Sequence, residues 1–164
     1  PVMAYPNLAR NDTRCLTYTT PVLGEDLTVV GHPLVVLWIT AEKGDANLHV
    51  LLEEVDEQGG VRYVTEGVLR ASQRKLAEAP YDNLGLPYQR CFDEDAQPVP
   101  RDEPVEVRLD LIPTATVFDG GHRLRLVVMG ADADNTRPSA LEDNSIRIYR
   151  GADHPSRIEL PVLE

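Results

Sequence analysis

The sequence predicts an all-β protein, a jelly-roll β-sandwich, and three observations carry that expectation. Short apolar or alternating runs recur at close spacing, each closed by Gly, Pro or acidic turn residues. No stretch of useful length combines helical periodicity with a start cap and a stop signal. Two segments, Val105–Leu111 and the run from Val117 through Gly120-Gly121 to Leu126, alternate apolar and polar residues as half-buried antiparallel strands do. Many short strands with few helices fit a sandwich or jelly roll better than a layered α/β fold.

The elements follow in chain order. Leu16–Thr19 is a strand closed by Pro21, and Leu27–Val30 is one closed by Gly31 and Pro33. Leu34–Thr40 lacks alternation and reads as a strand buried on both faces, with Trp38 filling core. Asn47–Val55 ends in Asp56-Glu57-Gln58-Gly59-Gly60, a hairpin turn signal. Val61–Val64 and Gly67–Ala71 continue as two pieces, and Ala71–Ala79 has room for a helical turn or two. Lys75–Pro104 is a long connection with Tyr81, Tyr88 and several prolines; loops of that length are commonly functional or docked. Val105–Leu111, His122–Met129, Ser145–Tyr149 and Arg157–Val162 complete the strands.

At 164 residues the chain is long enough for one domain with its own core. Residues 1–14 read as a flexible or linker-like segment and 15–164 as a single domain. The chain opens on Pro1, and no basic segment followed by an apolar run marks a signal peptide, so the sequence reads as an excised domain or a mature form. No apolar run reaches the length of a membrane-spanning helix. A net charge of −11 argues against nucleic acid and anionic membranes, which bind through clustered positive charge. Cys15 and Cys91 have no zinc-ligand spacing; they read either as one disulfide or as two unrelated buried thiols, and the cytoplasm is favoured over secretion.

Chemistry is sparse. No Gly-x-Ser-x-Gly occurs, and nothing around Ser72, Ser139, Ser145 or Ser156 supports a catalytic triad with His32, His49, His122 or His154. His49 is expected to face solvent or a neighbouring sheet, and His122, after the Gly-Gly turn, to bond a turn carbonyl rather than a metal. Acidic runs at Asp93–Asp95, Asp132–Asn135 and Glu142–Asn144 offer oxygen ligands but no twelve-residue calcium loop. They read as solvated carboxylates, with a structural calcium as the weaker alternative and no metal or cofactor expected. With aromatics at 5%, a sugar platform is poorly supported.

The ordered motifs say more than any single residue. Leu16–Leu23 with Asp26-Leu27, Val30–Pro33, Asp45–Val50 with Leu52, Gly67–Ser72 with Arg74, Phe118, Gly120–Leu126 and His154–Ile158 stand in the order and spacing of one domain. The chain resembles the C-terminal non-catalytic domain of the cocaine esterase and X-prolyl dipeptidyl-peptidase family of α/β-hydrolases. The resemblance implies a galactose-binding-like jelly roll that packs on a separate catalytic domain and helps wall its substrate cleft. It also implies that the nucleophilic Ser, the Asp and the His lie in that other domain, acting on ester or peptide bonds. No catalytic residue transfers to this chain. The expected partner is the α/β-hydrolase domain of the same parent protein, with self-association into a homo-oligomer also open. Arg70, Arg74, Tyr81, Tyr88 and Arg90 are the interface candidates, because arginine and aromatic residues dominate interface anchors. A stand-alone carbohydrate- or ligand-binding module is the alternative.

Overall fold

A computed structural model describes residues 5, 8, 12, 13, 15–132, 135 and 144–163. Among them run ten strands: β1 (Leu16–Thr19), β2 (Leu27–Gly31), β3 (Leu34–Ala41), β4 (Asn47–Val55), β5 (Val61–Arg70), β6 (Val105–Asp110), β7 (Thr114–Phe118), β8 (Arg123–Met129), β9 (Ile146–Tyr149) and β10 (Arg157–Glu159). Two single-turn 3-10 helices, Ala71–Gln73 and Asp93–Asp95, lie between β5 and β6. Among the described residues no helix is long and apolar enough to cross a membrane.

The strands form a sandwich in which every named pair is antiparallel. One sheet has the order β1-β8-β4-β5. The other centres on β3, with β6 along one edge. On the opposite edge β10 takes Leu34–Val36 and β9 takes Trp38–Ala41. A short ribbon, β2-β7, closes one side, extended by the chain end through a bridge between Val29 and Val162.

Alternation places Leu48, Val50 and Leu52 of β4 and Leu124, Leu126 and Val128 of β8 on the inner face of the first sheet. They meet Val35, Leu37 and Ile39 of β3 and Val107 and Leu109 of β6 in one buried cluster. At Gly67 an added Cβ would stand 2.7 Å from the Asp110 carbonyl oxygen and 2.8 Å from the Leu111 side chain. The glycine therefore lets β6 and its exit close directly on the inner face of β5.

Most strands fall where the sequence predicts. The β4–β5 hairpin closes as expected: Asp56 N–H donates to the Gly60 carbonyl, the Asp56 carboxylate caps the Gln58 and Gly60 amides, and Gly59 takes φ +85°.

Several expectations need correction. The two pieces at 61–64 and 67–71 are one strand, with a bulge where Leu52 and Glu53 meet Thr65 and Tyr63. Ala71–Ala79 holds only the single turn Ala71–Gln73. The alternation across Gly120-Gly121 is no hairpin, because β7 pairs with β2 while β8 joins β1 and β4. Trp38 does not fill the inter-sheet core. The odd residues of β3 point inward, so Trp38 lies on the outer face, where its ring meets the His154 ring edge-on at 4.9 Å. Cys15 and Cys91 form no disulfide with each other, and Cys91 is exposed rather than buried. Residues 133, 134, 139, 142 and 143, and most of 1–14, lie outside the described residues.

Candidate functional site

The motif pieces that carry the resemblance meet in space as two clamps. In the first, Asp45, just before β4, gathers the end of β5. Its Oδ1 accepts the Ala46 and Ser72 amides at 2.8 Å each. Its Oδ2 accepts the Ser72 hydroxyl at 2.9 Å and Arg70 Nε at 2.5 Å. Burial works to raise the Asp45 pKa, but Arg70, Ser72 and the two amides outweigh it and hold the carboxyl below its ordinary range. Arg74 then donates to the carbonyls of Ala71, Gln97 and Pro98, tying the β5 exit to the far end of the long connection.

The second clamp surrounds the Gly120-Gly121 turn. Glu54, buried at the end of β4, accepts the Asp119 amide and bonds His122 Nδ1, both at 3.0 Å. Its other oxygen takes Nε and a terminal nitrogen of Arg62. Burial raises the Glu54 pKa, and these donors outweigh it, so the carboxyl stays ionised below its usual range. His122 thus bonds a carboxylate and not the expected turn carbonyl. Glu54, Asp119 and His122 lie close enough together to ligate an ion. The Glu54 oxygens are already engaged by Arg62, His122 and a backbone amide, which makes the group a structural tie.

The long connection is stapled from within. Asp95, buried, accepts Arg90 through both oxygens at 2.7 Å each and Lys75 Nζ at 2.7 Å. These two cations hold its pKa down to about 2. Val99 enters the core, Gln89 donates to the Arg108 carbonyl, and Tyr81 meets Tyr88 edge-on at 5.9 Å. Arg70, Arg74 and Arg90 thus engage carboxylates and carbonyls of this chain, Arg70 with its side chain still 60% exposed, and Tyr81 is 62% exposed. Sequence reasoning missed the exposed apolar side chains on the same connection: Leu76, Phe92 and Leu84, the last 79% exposed at φ +58°. A bulky residue held at positive φ was the signal available, and it is visible only in the backbone.

A third buried polar group lies on the outer face of β4. His49, expected to face solvent or a sheet, is buried there; burial lowers its pKa against the pull of Asp132 and Glu66. Glu53 is fully buried and its pKa is pushed up to about 7, first by burial and then by the Asp12 carboxylate, with Arg125 opposing. Asp12 itself pairs with Arg125 at 2.7 Å. The Tyr5 hydroxyl donates to Glu66, lies 3.1 Å from Asp132, and its ring stacks on Tyr63 at 5.4 Å.

Among the described residues no hydroxyl is hydrogen-bonded to a histidine ring: Ser72 donates to Asp45 and Ser156 Oγ accepts the Trp38 amide. Both bonds are structural.

A protein of Mycobacterium bovis named as a serine esterase is 39% identical over 164 residues, covering 99% of this chain and 26% of its own length. Cocaine esterase of a Rhodococcus species is 24% identical, covering 94% of this chain and 26% of its own. A crystal structure of a CocE/NonD family hydrolase from Staphylococcus aureus superposes with a TM-score of 0.74 at 20% identity, over 92% of this chain and 30% of that one. The chain thus spans about a quarter of the length of the curated relatives it matches. Residues 3–159 match the family model described as the X-Pro dipeptidyl-peptidase C-terminal non-catalytic domain, and the chain belongs to that family.

Proposed function

We propose that this domain serves a serine hydrolase acting on ester or peptide bonds, by packing on its catalytic domain and fixing one wall of the substrate cleft. The single observation that carries the reading is the stapled connection between β5 and β6. It is held rigid by Arg90, Lys75 and Asp95, yet presents Leu76, Tyr81, Leu84 and Phe92 to the outside. Large apolar side chains on a fixed backbone suit a docking surface, because little ordering entropy remains to be lost on contact. Arg70, Arg74 and Arg90 act in this reading by holding the loop in shape, Tyr88 by backing Tyr81. Membership in a non-catalytic C-terminal family and the greater length of the relatives support a catalytic partner in the same polypeptide. We carry the galactose-binding-like jelly-roll assignment with this reading; the sandwich of antiparallel sheets supports it.

The test is activity of the full-length parent on p-nitrophenyl acetate and on an X-prolyl p-nitroanilide. Tyr81→Ala combined with Leu84→Ser is expected to lower its kcat/KM and melting temperature while the isolated domain melts unchanged. Unaltered activity and melting of the parent would remove the interface. Turnover by the 164-residue chain alone would remove the reading as a whole.

A further inference from the structure

The sandwich is open along one edge. Between β1 on one lip and β9 and β10 on the other runs a cleft of about 300 Å³, at the lower end of ligand-site sizes. Its floor is aliphatic: Leu37 and Leu52 from the two sheets, Leu126 beside them, and Ile148, Ile158 and Leu160 from the second lip. Tyr18 is the one aromatic ring among the described residues of the lining. There the Arg150 guanidinium crosses from the second sheet to lie 5.1 Å over the Tyr18 ring.

Arg150 is one of several described arginines without a carboxylate partner, and the one that lines this cleft unpaired. Arg62, Arg70, Arg90, Arg108, Arg125 and Arg157 each meet a carboxylate. Arg150, in a chain of net charge −11, forms no ion pair and no hydrogen bond among the described residues. A guanidinium held in place by a ring, with its planar fork of donors free, is a ready partner for a carboxylate.

We propose that this cleft binds an aliphatic carboxylate, with the alkyl chain between the sheets and the carboxylate on Arg150. A sugar is disfavoured, because the polar side chains of the lining, Thr19, Thr20, Ser156 and Arg157, are already engaged by Arg125, the Leu124 and Trp38 amides and Glu159. A cleft of this size takes about ten groups of the bulk of a water or methylene, which sets the chain length. The lining shares no residue with the β5–β6 connection, so Tyr81→Ala and Leu84→Ser leave the cleft unchanged and the two proposals fail separately.

The probe is octanoate, added to the 164-residue chain and followed by methyl NMR and calorimetry, with octan-1-ol and acetate as controls. Octanoate is expected to shift the Ile148, Ile158 and Leu160 methyls saturably, octan-1-ol to bind more weakly, and acetate to leave them unmoved. Arg150→Gln, a surface change, is expected to weaken octanoate about tenfold and leave octan-1-ol unaltered. Ile158→Phe, which fills the cleft, is expected to remove both; if it fails to fold, the Arg150→Gln result alone decides. Equal binding of octanoate and octan-1-ol, or no effect of Arg150→Gln, overturns the proposal. So does binding to this chain but not to the intact parent, which would assign the cleft to an apolar side chain of the parent's own.

Discussion

The two faces of β4 are equally hidden from water and for opposite reasons. Leu48, Val50 and Leu52 point inward and are covered by the facing sheet, in contacts that are apolar and indifferent to direction. His49, Leu51 and Glu53 point outward, where Tyr5 and Asp12 lie on the neighbouring Tyr63, Glu66 and Arg125. The inner face would bury itself in almost any sandwich. The outer face buries carboxyls, which stay buried only while they are protonated or matched to a cation. Burial alone therefore does not distinguish core from interface; the chemistry of what is buried does.

The comparison breaks most visibly through Leu52→Ala. Deleting this inner side chain is expected to cost about 2–5 kcal/mol in chemical denaturation, at pH 5 and pH 8 alike. An outer-face substitution should instead carry a pH signature. Glu53 has its pKa raised in the folded state to about 7, so the folded chain holds a proton the unfolded chain releases. That stability is present at low pH and is lost as the pH rises from the ordinary carboxylate range to about 7. Glu53→Gln, which keeps the shape and removes the ionisation, is expected to flatten this slope. At pH 8 it should stabilise the chain by on the order of 3 kcal/mol at most. A wild-type chain no less stable at pH 8 than at pH 5, with an unchanged variant, would show that Glu53 is ionised in the fold.

Gly67→Ala sharpens the inner face from another side. Its methyl would press on the Asp110 carbonyl and Leu111, and a loss of about 1–3 kcal/mol is expected. Glu54→Gln acts with the opposite pH sign to Glu53. Its depressed pKa gives stability present above the unfolded value and lost as pH falls through the folded one. A loss of about 1–2 kcal/mol is expected at pH 7, shrinking toward pH 4. Tyr81→Ala in the isolated chain has the smallest effect, within about 0.5 kcal/mol, because its ring is mostly in solvent.

Local patterns carried most of the fold and little of the site. Asp56 to Gly60 spells its own turn, and β3 and β4 are readable as buried strands because their apolar runs allow little else. What could not be read depended on distant partners. Glu53 and Glu54 are adjacent and identical in type, yet one is held neutral-prone beside Asp12 and the other ionised beside Arg62. Alternation along β4 sends them to opposite faces, and what each meets there is set by residues far away in sequence. Trp38 was misplaced because a run without alternation does not say which of its residues face the other sheet. Arg70, Arg74 and Arg90 were legible as a group, but their bonds go to carbonyls and carboxylates three to twenty-five residues away.

The bulge in β5 has a further consequence, for solubility. β5 is the longest strand and ends its sheet, the position from which a second chain would add by backbone pairing. The bulge breaks its repeat midway, and the incoming chain before β7 takes the next contacts, with Ile112 N–H on the Glu66 carbonyl and the Thr65 hydroxyl on the Ile112 carbonyl. The opposite edge, β1, is only four residues long. Neither margin offers the long, flat, unpaired ribbon on which amyloid-like stacking is templated, which protects the domain against its own concentration.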